Sequence, residues 1–218
     1  MRHFKINSVS TRRPTQDEIA QLEPFSGLPL ERIDLLTTTA AFEDARQQLI
    51  RERFVGFDTE SKPTFVKGER STGPHVVQFA MRERAFIIQA NNAAAHEFFK
   101  AILESAAIVK VGFGLRTDRA ALLLKFGAQM RSILDLATAL RQAGFRQAVG
   151  AKAAVAIVLQ RRLQKSKAVS TSNWARQHLL PNQLLYAAND AYAALAVFYA
   201  LGLHEESGEE LILNQENR

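Results

Sequence analysis

Phe54-Val55-Gly56-Phe57-Asp58-Thr59-Glu60 opens as an apolar run of high strand propensity and closes on two carboxylates two positions apart. Side chains at i and i+2 of a strand share a face, so Asp58 and Glu60 project together. Two like charges at the end of a buried strand repel each other and lose hydration, so something has to compensate them. A divalent cation is the simplest compensation. The plain alternative is a strand that runs into a polar loop with both acids solvated, and the stretch by itself leaves both readings open.

Outward from this stretch, strand and helix periodicities alternate. Upstream, 32–36 reads as a short strand, and Thr38-Thr39 caps a helix over 40–53 with Phe42, Ala45, Leu49 and Ile50 near helical spacing. Residues 1–31 hold Pro14, Pro24 and Pro29 without a sustained period and read as an N-terminal extension with a short helix over 15–22. Downstream, 61–74 is a polar loop with two glycines and two prolines. The segments 75–81 and 85–89 form a hairpin across Arg82-Glu83-Arg84. Asn91-Asn92 caps a helix to residue 104, 108–111 is a further strand, and Gly112-Phe113-Gly114 turns into a helix over 115–126. After a strand over 132–136 the pattern is helical. One helix spans 150–163 with a basic end, another starts at Ser172-Asn173-Trp174, and a third runs from Pro181 to about residue 203. An acidic tail, 204–218, closes the chain. This order describes one α/β domain over 32–203 with a mixed sheet of five to six strands flanked by helices.

Composition narrows the function. The 218 residues are 47% hydrophobic, ample for one core, and no apolar run approaches the ~18 residues of a spanning helix. The absence of cysteine excludes disulfides and thiolate metal sites and fits a cytoplasmic protein. The net charge of +6 is unevenly spread: 110–178 holds thirteen Lys and Arg against Asp118 and Asp135 alone. Such a split is the footprint expected for a polyanion, although solvated helix faces would leave the same tally.

Two more acids stand out. Asp118 falls in the first turn of the helix after Gly112-Phe113-Gly114, where the helix dipole alone would favour it. Asp190 follows Tyr186 by four residues on a helix otherwise rich in small apolar residues, so the two side chains share a buried-looking face. Carboxylates without histidine or cysteine at ligand spacing make a hard, all-oxygen donor set, which suits Mg²⁺ or Mn²⁺ rather than Zn²⁺. Gly112-x-Gly114-x-x-Thr117 lacks the third glycine of a dinucleotide fingerprint, and no Walker-type loop or nucleophile elbow is present.

In this order and spacing, Asp58-Thr59-Glu60, Asp118 and Tyr186-x-x-x-Asp190 resemble the three motifs of the DEDD 3′–5′ exonucleases. The tyrosine marks the DEDDy branch. Gln78, Ser172-Asn173-Trp174 and Gln183-x-x-Tyr186-Ala187-Ala188 are similar to the group that holds ribonuclease D and the Werner-syndrome exonuclease domain. The resemblance implies a ribonuclease H-like fold and two Mg²⁺ or Mn²⁺ ions that hydrolyse single-stranded DNA or RNA from its 3′ end to nucleoside 5′-monophosphates. It assigns Asp58 to both ions, Glu60 and Asp190 to the ion of the attacking water, Asp118 to the second ion and Tyr186 to the orientation of that water. Arg116, Arg161, Lys165 and Lys167 are the expected backbone-phosphate contacts. Leu180 stands where the family often has a Ser or Thr cap, and the 61–74 loop is longer than the simplest members need. The competing functions are a non-catalytic nucleic-acid or protein-binding module and a phosphoesterase of small nucleotides.

Overall fold

Strand alternation in the opening stretch organises the whole molecule, a computed structural model described over residues 12–64, 68–69 and 71–205. In chain order the elements are α1 (Gln16–Ala20), β1 (Ile33–Leu36), α2 (Thr39–Leu49), β2 (Phe54–Glu60), β3 (Val76–Ala80), β4 (Ala85–Gln89) and α3 (Ala95–Leu103). They continue with β5 (Val109–Gly112), α4 (Arg116–Phe126), β6 (Ile133–Asp135), α5 (Leu136–Gln142), α6 (Ala151–Leu159), α7 (Lys167–Ser170) and α8 (Pro181–Ala200). The six strands form one mixed sheet in the order β1-β4-β3-β2-β5-β6. β2 is central, antiparallel to β3 and parallel to β5, and β3–β4 is the expected hairpin.

The two faces of the sheet carry different cores. On one, Val55, Phe57, Val77 and Phe79 pack against α2, α3 and α4, with aromatic centroids 5.3 Å apart for Phe57–Phe79 and 4.8 Å for Phe99–Phe126. Bulky rings fill this layer. On the other, α8 lies across β2, β3 and β5 with Ala187, Ala188, Ala191 and Ala194 buried beneath it. Small residues let its backbone approach the sheet, and Pro181 in its first turn gives its entry the right φ. α5 and α6 extend this second layer.

Several sequence expectations need correction. The helix read over 150–163 stops at Leu159, because Gln160 turns left-handed at φ 52°. Arg161 and Arg162 therefore leave the helix, and Arg162 enters a parallel bridge with Pro24. Ser172-Asn173-Trp174 starts no helix; it is a turn whose Ser172 hydroxyl accepts a hydrogen bond from the Gln183 amide at 2.8 Å. The other end of that amide accepts from the Leu180 N–H at 3.0 Å, so Gln183 closes the start of α8 in place of a Ser or Thr cap. Asn92 caps one turn before α3, bonding the Ala94 N–H at 3.0 Å, and α3 begins only at Ala95. Much of the acidic tail, the first eleven residues and parts of the 61–74 loop lie outside the described residues.

Candidate active site

β2 runs past its parallel neighbour. Its pairing with β5 ends at Gly56↔Val111, while its pairing with β3 continues through Glu60↔Val76. The last residues of β2 thus border an open end of the sheet, where α8 crosses. The crossing is possible because residue 56 is glycine: a Cβ there would collide with the carbonyl oxygen of Ala191. That close approach carries Asp190 to the acids of β2. Ligand oxygens of Asp58, Glu60 and Asp190 lie within 4.8 Å of one another.

Asp118 is not in that group. It is held at the end of β2 by a short hydrogen bond from the Thr59 hydroxyl. Its charge nonetheless contributes to raising the pKa values of Asp58 and Glu60, so it belongs to the same electrostatic neighbourhood. The turn that delivers it is fixed by Asp135, whose carboxylate accepts from the Leu115 N–H at 2.9 Å and from Ala137 N–H at 2.9 Å. Asp135 therefore pins the start of α4 and caps α5 together. In the sequence it stands out only as one of two acids in a basic region, although an acid before a helical period is a capping signal.

Burial decides the electrostatics. It pushes the Asp58 carboxyl well up, with the Asp190 charge adding to the effect and Lys165 opposing it. Glu60 is pushed up to about 9 by burial, then by Asp58 and Asp190. Three carboxylates that cannot all ionise comfortably need positive charge. Lys165 supplies some. Its Nζ lies 2.6 Å from Asp190 Oδ2 and 5.7 Å from the centre of the Tyr186 ring. Burial lowers the lysine pKa, but Asp190 more than offsets this and raises it. Tyr186 is pushed up to about 12 by burial and by Asp190. It is a neutral phenol at ordinary pH.

The other expected phosphate contacts are dispersed. Arg116 is exposed at the start of α4, Lys167 is exposed on α7, and Arg161 is exposed with its guanidinium on the Gln160 carbonyl at 2.9 Å. The basic run is partly consumed inside the protein. Lys110 is fully buried, donating at 2.8 Å to Ser105 O and 2.7 Å to Ile108 O beyond the C-terminal end of α3. Lys125 donates to Thr72 O at 2.9 Å and Pro74 O at 2.7 Å, tethering the end of the 61–74 loop. Trp174 is core: fully buried, with its Nε1 on the Ser170 carbonyl at 3.2 Å and its ring 5.9 Å from that of Tyr186. Gln78, directly across from Asp58 on β3, is buried with neither amide atom partnered among the described residues.

Residues 33–204 match the family described as 3′–5′ exonuclease. Among curated relatives, the mouse (Mus musculus) bifunctional 3′–5′ exonuclease/ATP-dependent helicase WRN is 30% identical over 176 residues, 79% of this chain and 12% of that protein. Escherichia coli RNase D superposes with a TM-score of 0.72 at 21% identity, over 85% of this chain and 48% of that one. Trypanosoma brucei RNase D in complex with RNA U12 superposes at 0.67 and 20%, over 85% and 64%. These structural likenesses establish the ribonuclease H-like fold. The chain spans less than two thirds of each of these proteins.

Proposed function

The chain belongs to the 3′–5′ exonuclease family, and we propose that it shortens single-stranded nucleic acid from the 3′ end, releasing nucleoside 5′-monophosphates. The observation that carries this reading is the convergence of Asp58, Glu60 and Asp190 on one point. Their oxygen-only donor set fits a hard cation such as Mg²⁺ or Mn²⁺, and the ion pair of Lys165 with Asp190 marks the point as one that accepts positive charge. Asp58, Glu60 and Asp190 would hold one ion, and Asp58 with Asp118 a second. Bound there, such ions lower the pKa of a coordinated water and spread the charge of an in-line displacement.

The protein's own groups do the positioning. Tyr186, kept protonated up to about pH 12, donates a hydrogen bond and orients the attacking water instead of taking its proton. Thr59 fixes the Asp118 carboxylate through its hydroxyl. Lys165 favours the ionised form of Asp190 against the pull of burial and brings a cation to the edge of the cluster, where a phosphate would approach. A nucleic-acid substrate is supported by the RNA complex of the structurally similar RNase D.

The test is a time course on a 5′-labelled single strand, as DNA and as RNA, with Mg²⁺, Mn²⁺ or EDTA. The expected result is a metal-dependent ladder that shortens from the 3′ end and is absent with Asp58→Ala. Intact substrate under every condition, with binding retained in a shift assay, would turn the reading to a binding module.

A further inference from the structure

The segment before residue 33 lies outside the family match, yet it is stitched to the catalytic face. Asn189, the residue before Asp190 on α8, accepts a hydrogen bond from the Leu28 N–H at 2.7 Å. Gly27 lies so close to that side chain that any Cβ would collide with it. Further along, the Phe25 N–H donates to Arg162 O at 2.9 Å and the Arg162 N–H to Glu23 O at 2.8 Å. The Phe25 ring rests 5.9 Å from the ring of Tyr192. Three hydrogen bonds, a close backbone approach and a ring contact hold the segment as a wall.

Behind that wall lies an open-sided cavity of about 870 Å³, bounded by the segment, the 162–166 loop and the outer face of α8. Its size falls within the roughly 300–1,000 Å³ of ligand sites. Lys165 and Tyr186 line it, and Lys165 also pairs with Asp190, so these two side chains form a common border between cavity and cluster. Its remaining walls include Lys152, Arg162, Phe25 and Gln16, and among the described residues no carboxylate lines it. Neither Lys152 nor Arg162 forms an ion pair with an acid among the described residues. Cations free of acids beside an aromatic ring are the means by which proteins hold single-stranded nucleic acid without reading its sequence.

We propose that this cavity is the path of the upstream strand, the nucleotides 5′ of the terminal one passing between the N-terminal segment and α8, with a base against Phe25 and phosphates facing Lys152 and Arg162. The inference rests on the exonuclease reading above and adds the residues that would favour an oligomer over a short substrate.

The experiment uses the full chain with Phe25→Ala and, separately, Lys152→Gln, an exposed position whose change leaves the core untouched. Binding of a fluorescein-labelled single-stranded 12-mer is followed by anisotropy in EDTA across a salt series, and hydrolysis of the 12-mer and of a dinucleotide is followed with Mn²⁺. Phe25→Ala is expected to weaken 12-mer binding and raise its KM by roughly tenfold, within the range of one base–aromatic stack, at unchanged kcat. Lys152→Gln is expected to reduce the slope of log binding constant against log salt by about 0.7, the loss of one phosphate contact. Dinucleotide hydrolysis, with a single nucleotide upstream of the terminal one, should fall less than 12-mer hydrolysis in both. Variants that bind the 12-mer with wild-type affinity and salt slope, or that lose dinucleotide and 12-mer hydrolysis equally, would overturn the proposal. Should wild type bind the 12-mer through these residues and cleave nothing with any metal, the catalytic reading falls and the binding path stands.

Discussion

The two faces of β2 solve different problems with alternate residues of one strand. Val55 and Phe57 point into a layer of rings, where Phe79, Phe98, Phe99 and Phe126 fill the space under α3 and α4. Phe54, Gly56, Asp58 and Glu60 point the other way, towards α8, and there the contact is made by the absence of side chains: Gly56 meets the backbone of Ala191. Bulky groups fill the first face. At the second, the close approach brings a carboxylate of α8 to two on β2. On the proposed function, chemistry depends on this glycine–alanine contact, while the aromatic layer behind it supplies core packing.

Breaking the second face at its acids should have the largest effect. Asp58→Asn is expected to lower kcat/KM by about a thousandfold or more, given the several kcal/mol a bound metal contributes to the transition state, with folding by circular dichroism unchanged. Thr59→Val probes the link between β2 and Asp118. It removes the hydroxyl that holds Asp118 and should cost roughly 10–100-fold in activity, the range of an outer partner of a metal ligand. Gly56→Ala tests the contact itself. Overpacking against Ala191 should destabilise by about 1–3 kcal/mol in urea denaturation and lower activity as well. Gly150→Ala, where a Cβ meets nothing within 4 Å, serves as its control.

The subtlest test is electrostatic. Glu60 has an ordinary pKa of 4.5 and is pushed up to about 9 in the fold. The folded chain therefore holds a proton that the unfolded chain releases, and the associated stability is complete below the unfolded value and lost as pH rises through the folded one. In EDTA the melting temperature should fall between about pH 5 and about pH 9. Glu60→Gln should flatten part of that fall and raise the melting temperature at the alkaline end, although it removes activity. A steeper fall in the variant would show that the acid is not strained by burial.

The sequence makes the central strand, the hairpin and α8 legible because their periods are strong and Pro181 marks an entry. The four acids and Tyr186 stand out by spacing, but spacing does not show that Asp58, Glu60 and Asp190 converge while Asp118 is held by the Thr59 hydroxyl. Lys165 is less legible still. In the sequence it is one cation in a basic run, and only the packing of its loop over α8 places it against Asp190. Lys110 belongs to the same run and turns inward to backbone carbonyls. The end of α6 is hidden for a different reason, since Gln160 takes a left-handed conformation that glycine usually announces. The docked N-terminal segment depends on contacts such as Leu28 with Asn189, 161 residues apart, which no local period encodes.

The most direct measurement is Mn²⁺ binding to the full chain by electron paramagnetic resonance, comparing wild type with Asp58→Asn and Asp190→Asn. The account predicts that wild type takes up Mn²⁺ and that each variant loses it, because β2 and α8 must both contribute oxygens to one site. Undiminished binding in both variants would contradict it, since the ion would then be held somewhere other than where these two elements meet.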